Sequence, residues 1–88
     1  MNSNAIWQAI TKHAGEEFRT VTGLSFTYEV NGGHVRPSRT NWNIARSDFE
    51  KVIDRMPVES VTDISNLVRG SSYILAILRD PRIGADGG

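Results

Sequence analysis

The stretch Phe26-Thr27-Tyr28-Glu29-Val30-Asn31-Gly32-Gly33-His34-Val35-Arg36-Pro37 decides the fold class. Phe26, Tyr28 and Val30 alternate with Thr27 and Glu29, the period of two that gives a strand one apolar and one polar face. Asn31-Gly32 follows, a dipeptide that tolerates the positive φ angles of a two-residue type I′ hairpin loop. With those two residues in the loop, Tyr28 faces Val35, Glu29 faces His34 and Thr27 faces Arg36, so like meets like. A three-residue loop, Asn31-Gly32-Gly33, sets Glu29 against Val35 and mixes the faces, which the buried side resists.

Upstream, a strand over 18–21 pairs with 26–28 when Thr22-Gly23-Leu24 form the connection, because Phe18 then meets Tyr28 and Thr20 meets Phe26. Downstream, Pro37 lacks an N–H and belongs at a strand end or edge, and residues 38–46 read as a loop. The sheet is therefore expected to be a three-stranded antiparallel meander. Phe18, Phe26, Tyr28, Val30 and Val35 make one of its faces apolar, and the other face is wet.

Helices flank it. In 3–14, Ile6, Ala9, Ile10, His13 and Ala14 recur at spacings of three and four along one helical face. Ser3 or Asn4 is placed to cap this helix and Gly15 to end it. Ser47-Asp48-Phe49-Glu50 has the capping-box pattern, which starts a helix at Asp48 with Phe49, Val52, Ile53 and Met56 as its apolar stripe and Pro57 as its stop. Ser60 or Thr62 can cap a short helix through Leu67 and Val68 with Gly70 beyond its end. Ser71 or Ser72 can then cap a last helix running to Arg79, closed by Asp80-Pro81. The reading is an α+β fold: an N-terminal helix, the three-stranded antiparallel meander, then two to three short helices packed on one face of the sheet. Residues 1–83 form one small domain and 84–88 a flexible tail.

The bulk composition agrees. The chain has 88 residues, 39% hydrophobic and 23% charged, a globular balance with room for one core. A lone core of this size supplies only about 3–5 kcal/mol net. The chain has no cysteine, which excludes disulfide staples, thiolate catalysis and cysteine-ligated zinc, and points to a cytoplasmic setting. No secretory signal is read after Met1, and the longest apolar run, 73–78, is far too short for a membrane span.

Catalytic and cofactor motifs are not found. His13 and His34 have no sequence reason to meet, no metal-ligand spacing occurs, and neither glycine-rich phosphate motif is present. The chain is accordingly read as a non-enzyme without cofactor, metal or small-molecule substrate. Ten basic residues balance ten acidic ones, so any nucleic-acid role must rest on local clustering.

One such cluster exists. From Val30 to Ser47 the chain holds His34, Arg36, Arg39 and Arg46, interleaves Asn41, Trp42 and Asn43, and carries no acidic residue. Arginine supplies charge and a bidentate fork for phosphate, asparagine reads base edges, and tryptophan stacks on a base. This makes His34, Arg36, Arg39, Asn41, Trp42 and Arg46 the binding candidates for DNA or RNA. The competing reading is a solvated loop whose arginines pair with Glu29, Asp48, Glu50 and Asp54, with Trp42 as a lid on the core.

A second candidate surrounds Arg69-Gly70-Ser71, where two helices joined at a tight glycine turn resemble a helix-turn-helix reader. Ile74, Leu75, Ile77 and Leu78 cover most of the last helix, however, which favours burial in the core or in a homodimer or other protein interface. Tyr73, Ile74, Ile77 and Leu78 are the interface candidates. The terminal Gly87-Gly88 resembles the end of ubiquitin-like modifiers, but those open with a hairpin and this chain opens with a helix.

Overall fold

The computed structural model describes residues 3–84 apart from Pro57, Glu59 and Arg69. In chain order the elements are α1 (Ser3–Lys12), β1 (Phe18–Arg19), β2 (Ser25–Phe26), β3 (Tyr28–Asn31), β4 (His34–Pro37), β5 (Ile44–Ala45), α2 (Arg46–Ile53), a 3₁₀ turn (Val61–Asp63) and α3 (Ser71–Arg79). The architecture is the expected α+β arrangement, and it contains a three-stranded antiparallel sheet. The strands composing that sheet differ from the expectation.

The three-stranded sheet has the order β3-β4-β5, and β1 and β2 form a separate two-stranded ribbon. The expected single strand over 26–30 is interrupted at Thr27. Its N–H donates to Ser38 Oγ at 3.1 Å, and its carbonyl accepts from Ser38 N–H at 2.8 Å. Phe26, on one side of this break, pairs with Phe18, and Tyr28, on the other, pairs with Pro37. The connection between β1 and β2 runs through a tight turn in which Thr20 N–H donates to the Leu24 carbonyl and Gly23 N–H to the Thr20 carbonyl. The Thr20 hydroxyl, almost fully buried, accepts from Leu24 N–H at 3.2 Å. This local bonding sets Phe18 opposite Phe26 rather than opposite Tyr28. The Phe18 and Tyr28 rings still meet, at 5.2 Å between centroids, as neighbours in the core.

The hairpin register is also displaced from the expected one. The loop is Gly32-Gly33, with Asn31 opposite His34, Val30 opposite Val35 and Glu29 opposite Arg36. Both registers keep apolar residues on one face, because they differ by two positions and side chains alternate with period two. The turn decides between them. Within it only Gly32 has positive φ, at 60°, the type II′ pattern with glycine at the first central position. Asn31 thereby stays extended in β3, and Glu29 and Arg36 form an ion pair at 3.0 Å.

Residues 44–45, expected in a loop, form the third strand, with Val35 opposite Ile44 and His34 opposite Ala45. Ile44 is almost completely buried, so the strand carries a core residue inward. Arg46 N–H then donates to the Gly33 carbonyl at 2.8 Å, and the chain passes from β5 directly into α2. The capping box at Ser47 does not form as a result. The cap is Ala45, without a side-chain hydrogen bond, and the Glu50 carboxylate is held by Arg46 at 3.1 Å.

Two other caps are displaced. Ser3 and Asn4 are both helical, and the Asn4 side-chain oxygen accepts from Arg46 Nη2. Gly70, expected to end the preceding helix, is instead the cap of α3 with φ 75°, and Ser71 is already helical. The short helix over 62–68 is reduced to a 3₁₀ turn, where Ser60 N–H donates to Asp63 Oδ2 at 3.2 Å, followed by further turns in which Leu67 and Val68 N–H groups donate to the Ile64 carbonyl. Gly84 N–H donates to the Asp80 carbonyl at 3.0 Å; residues 85–88, and the expected stop at Pro57, lie outside the described residues.

The core joins all layers. Ile6 and Ile10 of α1, Phe18, Phe26, Tyr28, Val35 and Ile44 from the strands, Phe49 and Val52 of α2, and Ile74, Leu75, Ile77 and Leu78 of α3 are buried together. The Tyr28 hydroxyl donates to the Ile10 carbonyl at 2.6 Å, tying β3 to the last turn of α1. Burial pushes the Tyr28 phenol well above its ordinary range, so it remains a donor throughout the working pH range. Tyr28→Phe strands a buried carbonyl and is expected to cost about 1–3 kcal/mol in urea unfolding, with an unchanged dependence on denaturant.

Candidate nucleic-acid interface

The candidate residues are positioned by the pleat of β4. Val35 and Pro37 point into the core, whereas His34 and Arg36 stand exposed on the opposite face, beside Glu29 and Asn31 of β3. The wet face expected of the sheet is therefore present and carries two of the basic candidates. Beyond β4 the chain turns at Ser38 and Arg39. Thr40 N–H returns to the Pro37 carbonyl at 3.1 Å, and its hydroxyl lies 3.1 Å from the Trp42 carbonyl, which stiffens the loop.

A polar cleft of about 400 Å³ opens where hairpin and loop meet, lined by Thr27, Glu29, Arg36, Ser38, Thr40 and Asn41 over a floor of Tyr28 and Pro37. Arg36 reaches it from β4 and Asn41 from the loop. Arg39 lies close by, and its Nε donates to the Ser25 carbonyl at 2.6 Å. His34, Arg36, Arg39 and Asn41 are all exposed.

Trp42 and Arg46 are engaged elsewhere. The Trp42 indole lies half-buried against the core and packs on Gly70. The Arg46 guanidinium sits 5.4 Å from the Trp7 ring centroid, donates to Glu50 Oε2 at 3.1 Å, and also bonds Asn4. Trp7 meets Phe49 edge-on at 5.8 Å, so Arg46 closes the α1–α2 junction. Of the four acidic partners weighed for the arginines, Glu29 and Glu50 are used, while Asp48 lies 3.7 Å from Lys51. Composition could not find Asn4 and Trp7 as partners of Arg46, because they lie at the other end of the chain and meet it only through helix packing.

The interface candidates of the last helix lie within the packing of the single chain. Ile74, Ile77 and Leu78 are fully buried within the single chain, and Tyr73 stacks edge-on against Phe26 at 5.0 Å. The large apolar side chains exposed among the described residues are Val21 and Leu24, at the β1–β2 turn. The turn at Arg69-Gly70-Ser71 includes Arg69, which lies outside the described residues; the helix-turn-helix comparison also loses its first helix, since 3₁₀ and other turns replace it.

The histidines do not meet in a shared site. His13 Nδ1 lies 2.9 Å from Glu16 Oε2, and His34 stands on the outer face of the hairpin. Among the described residues no group of three or more His, Asp or Glu side chains could hold a metal ion, and no helix is long and apolar enough to cross a membrane. No protein-family model, curated protein or solved structure matches the chain.

Proposed function

We propose that the protein is a binding module rather than a catalyst, and that its ligand is single-stranded nucleic acid held by His34, Arg36, Arg39 and Asn41. The observation that carries this reading is the polar cleft between hairpin and loop, edged by Arg36 and Asn41 with Arg39 close by. Arg36 is paired with Glu29, but both side chains are more than half exposed, so the pair is weak and the guanidinium can exchange a carboxylate for a phosphate at little cost. Asn41 offers both a donor and an acceptor to a base edge. Trp42 and Arg46 belong to the fold in this reading, since their packing and bonding partners already occupy them. A single strand suits the cleft because its bases are unpaired and its backbone can follow a short curved groove.

The test is a fluorescence titration of labelled single-stranded and duplex DNA and RNA across a range of salt. With two to three phosphates neutralised, log affinity for a single strand is expected to fall against log salt with a slope of about −1.4 to −2. The Arg36→Ala/Arg39→Ala double variant is expected to bind about tenfold or more weakly with a shallower slope. Undetectable binding at low salt, or a double variant that binds like the parent, sinks the reading.

A further inference from the structure

The densest polar network among the described residues lies away from the hairpin and joins the two ends of the chain. Arg82, just beyond α3, donates from Nε to Asp80 Oδ1 at 2.8 Å and from Nη2 to Asp80 Oδ2 at 2.9 Å, a bidentate fork. Its Nη1 donates to Glu16 Oε1 at 3.0 Å, and Nη2 also donates to the Glu17 carbonyl at 2.8 Å. The guanidinium lies 3.9 Å from the centroid of the Phe18 ring, covering an aromatic residue of the core. Glu16 is held from its other side by His13, through Oε2 at 2.9 Å. Next to Arg82, Ile83 is buried, and the N–H groups of Ile83 and Gly84 donate to the Asp80 carbonyl at 2.9 and 3.0 Å.

Residues 80–84 are thus held down by two anchors of different chemistry. Ile83 is an apolar anchor indifferent to pH. Arg82 is an electrostatic anchor whose carboxylate acceptors, Asp80 and Glu16, must be ionised. We propose that residues 80–84 form an acid-released latch over the Phe18 edge of the core, closed while Glu16 and Asp80 are charged and opened locally, ahead of global unfolding, when they are protonated.

The groups facing Arg82 support this assignment. From the link between α1 and β1 come His13, Glu16 and Glu17, the last with Arg19 at 3.4 Å. From the end of α3 comes Asp80, and from β3 the neutral Tyr28 phenol. The hydrogen bond to His13, then that to Arg82, holds the Glu16 carboxyl below its ordinary range; the hydrogen bond to Arg82 does the same for Asp80. Depressed carboxylates stabilise the closed state fully above their ordinary values of about 4, and this stabilisation is lost as pH falls through the lowered values. Opening is therefore an event of the acid side, below about pH 4.

Residue-resolved amide exchange on the full chain between about pH 7 and pH 3, expressed as protection factors, tests the latch. Ile83 and Gly84 are expected to lose protection about tenfold or more at the acid end while Val35 and Ile77 keep most of theirs. Glu16→Gln/Asp80→Asn is expected to reproduce the open state at neutral pH, and Arg82→Gln to lower the protection of Gly84 and flatten its pH dependence. Protection at Ile83 and Gly84 that does not change with pH overturns the proposal, and so does loss at all four amides together. The wild-type series alone decides this if the variants fail to fold.

Discussion

Gly70→Ala is expected to remove most of the stability of this domain, about 2–5 kcal/mol, where a lone core of its size supplies about 3–5. Two costs combine. Gly70 caps α3 with φ 75°, a left-handed conformation that costs an L-residue about 1–2 kcal/mol. A Cβ built at this position would also stand 2.8 Å from Trp42 Cη2 and 2.9 Å from Ile44 Cδ1, closer than carbon atoms approach. Overpacking of this kind costs about 1–3 kcal/mol. Neither neighbour yields easily, since Ile44 is almost fully buried in β5 and the Trp42 ring is seated on the core.

Urea unfolding of Gly70→Ala, with and without Trp42→Leu, separates the two costs. The smaller side chain is expected to recover the packing part and leave the backbone part, so the pair is non-additive by about 1 kcal/mol or more. A loss under about 1 kcal/mol for Gly70→Ala would show that Trp42 is free to move aside. That outcome would return Trp42 to the set of side chains available for stacking on a base. The stability of one glycine variant therefore bears directly on which residues compose the candidate interface.

The same contact shows where sequence reading reached and where it stopped. Alternation in 26–37 reveals which side chains face inward, because the period of two is a property of the strand itself. It does not choose between registers two positions apart, since both satisfy the pattern; the type II′ turn at Gly32-Gly33 and the Glu29–Arg36 pair select one. Residues 44–45 escape detection because two residues are too few to show a period, and because Ile44 becomes a strand residue only by pairing with Val35. The capping-box pattern at Ser47 is locally sound and loses to a tertiary bond, the donation from Arg46 N–H to the Gly33 carbonyl, which starts α2 two residues earlier than expected.

The candidate site was legible in the same partial way. Within the acid-free stretch His34, Arg36, Arg39 and Asn41 are exposed, whereas Val35, Pro37 and Ile44 are buried. Composition cannot distinguish Arg36, which faces solvent, from Arg46, which closes a helix junction over Trp7. That difference arises from α1 folding back onto α2. The Arg82 network is invisible for the same reason, because its acceptors at Glu16 and Glu17 lie at the opposite end of the chain.

Ile77→Ala is expected to cost about 2–5 kcal/mol, because its side chain is fully buried in the core and its removal leaves a cavity the packed helix cannot close. The prediction separates a core helix from an association surface. If α3 completes the core of a single chain, the unfolding midpoint of both parent and variant is independent of protein concentration, since no partner is released on unfolding. If α3 were an interface, the midpoint would rise with concentration, and the variant would show its loss chiefly as weakened association. Val21→Ala provides the contrast: Val21 is 66% exposed at the β1–β2 turn, and its truncation is expected to stay within about 0.5 kcal/mol of the parent. A concentration-dependent midpoint, or an Ile77→Ala loss no larger than that of Val21→Ala, would contradict the core assignment and support Ile74, Ile77 and Leu78 as interface residues.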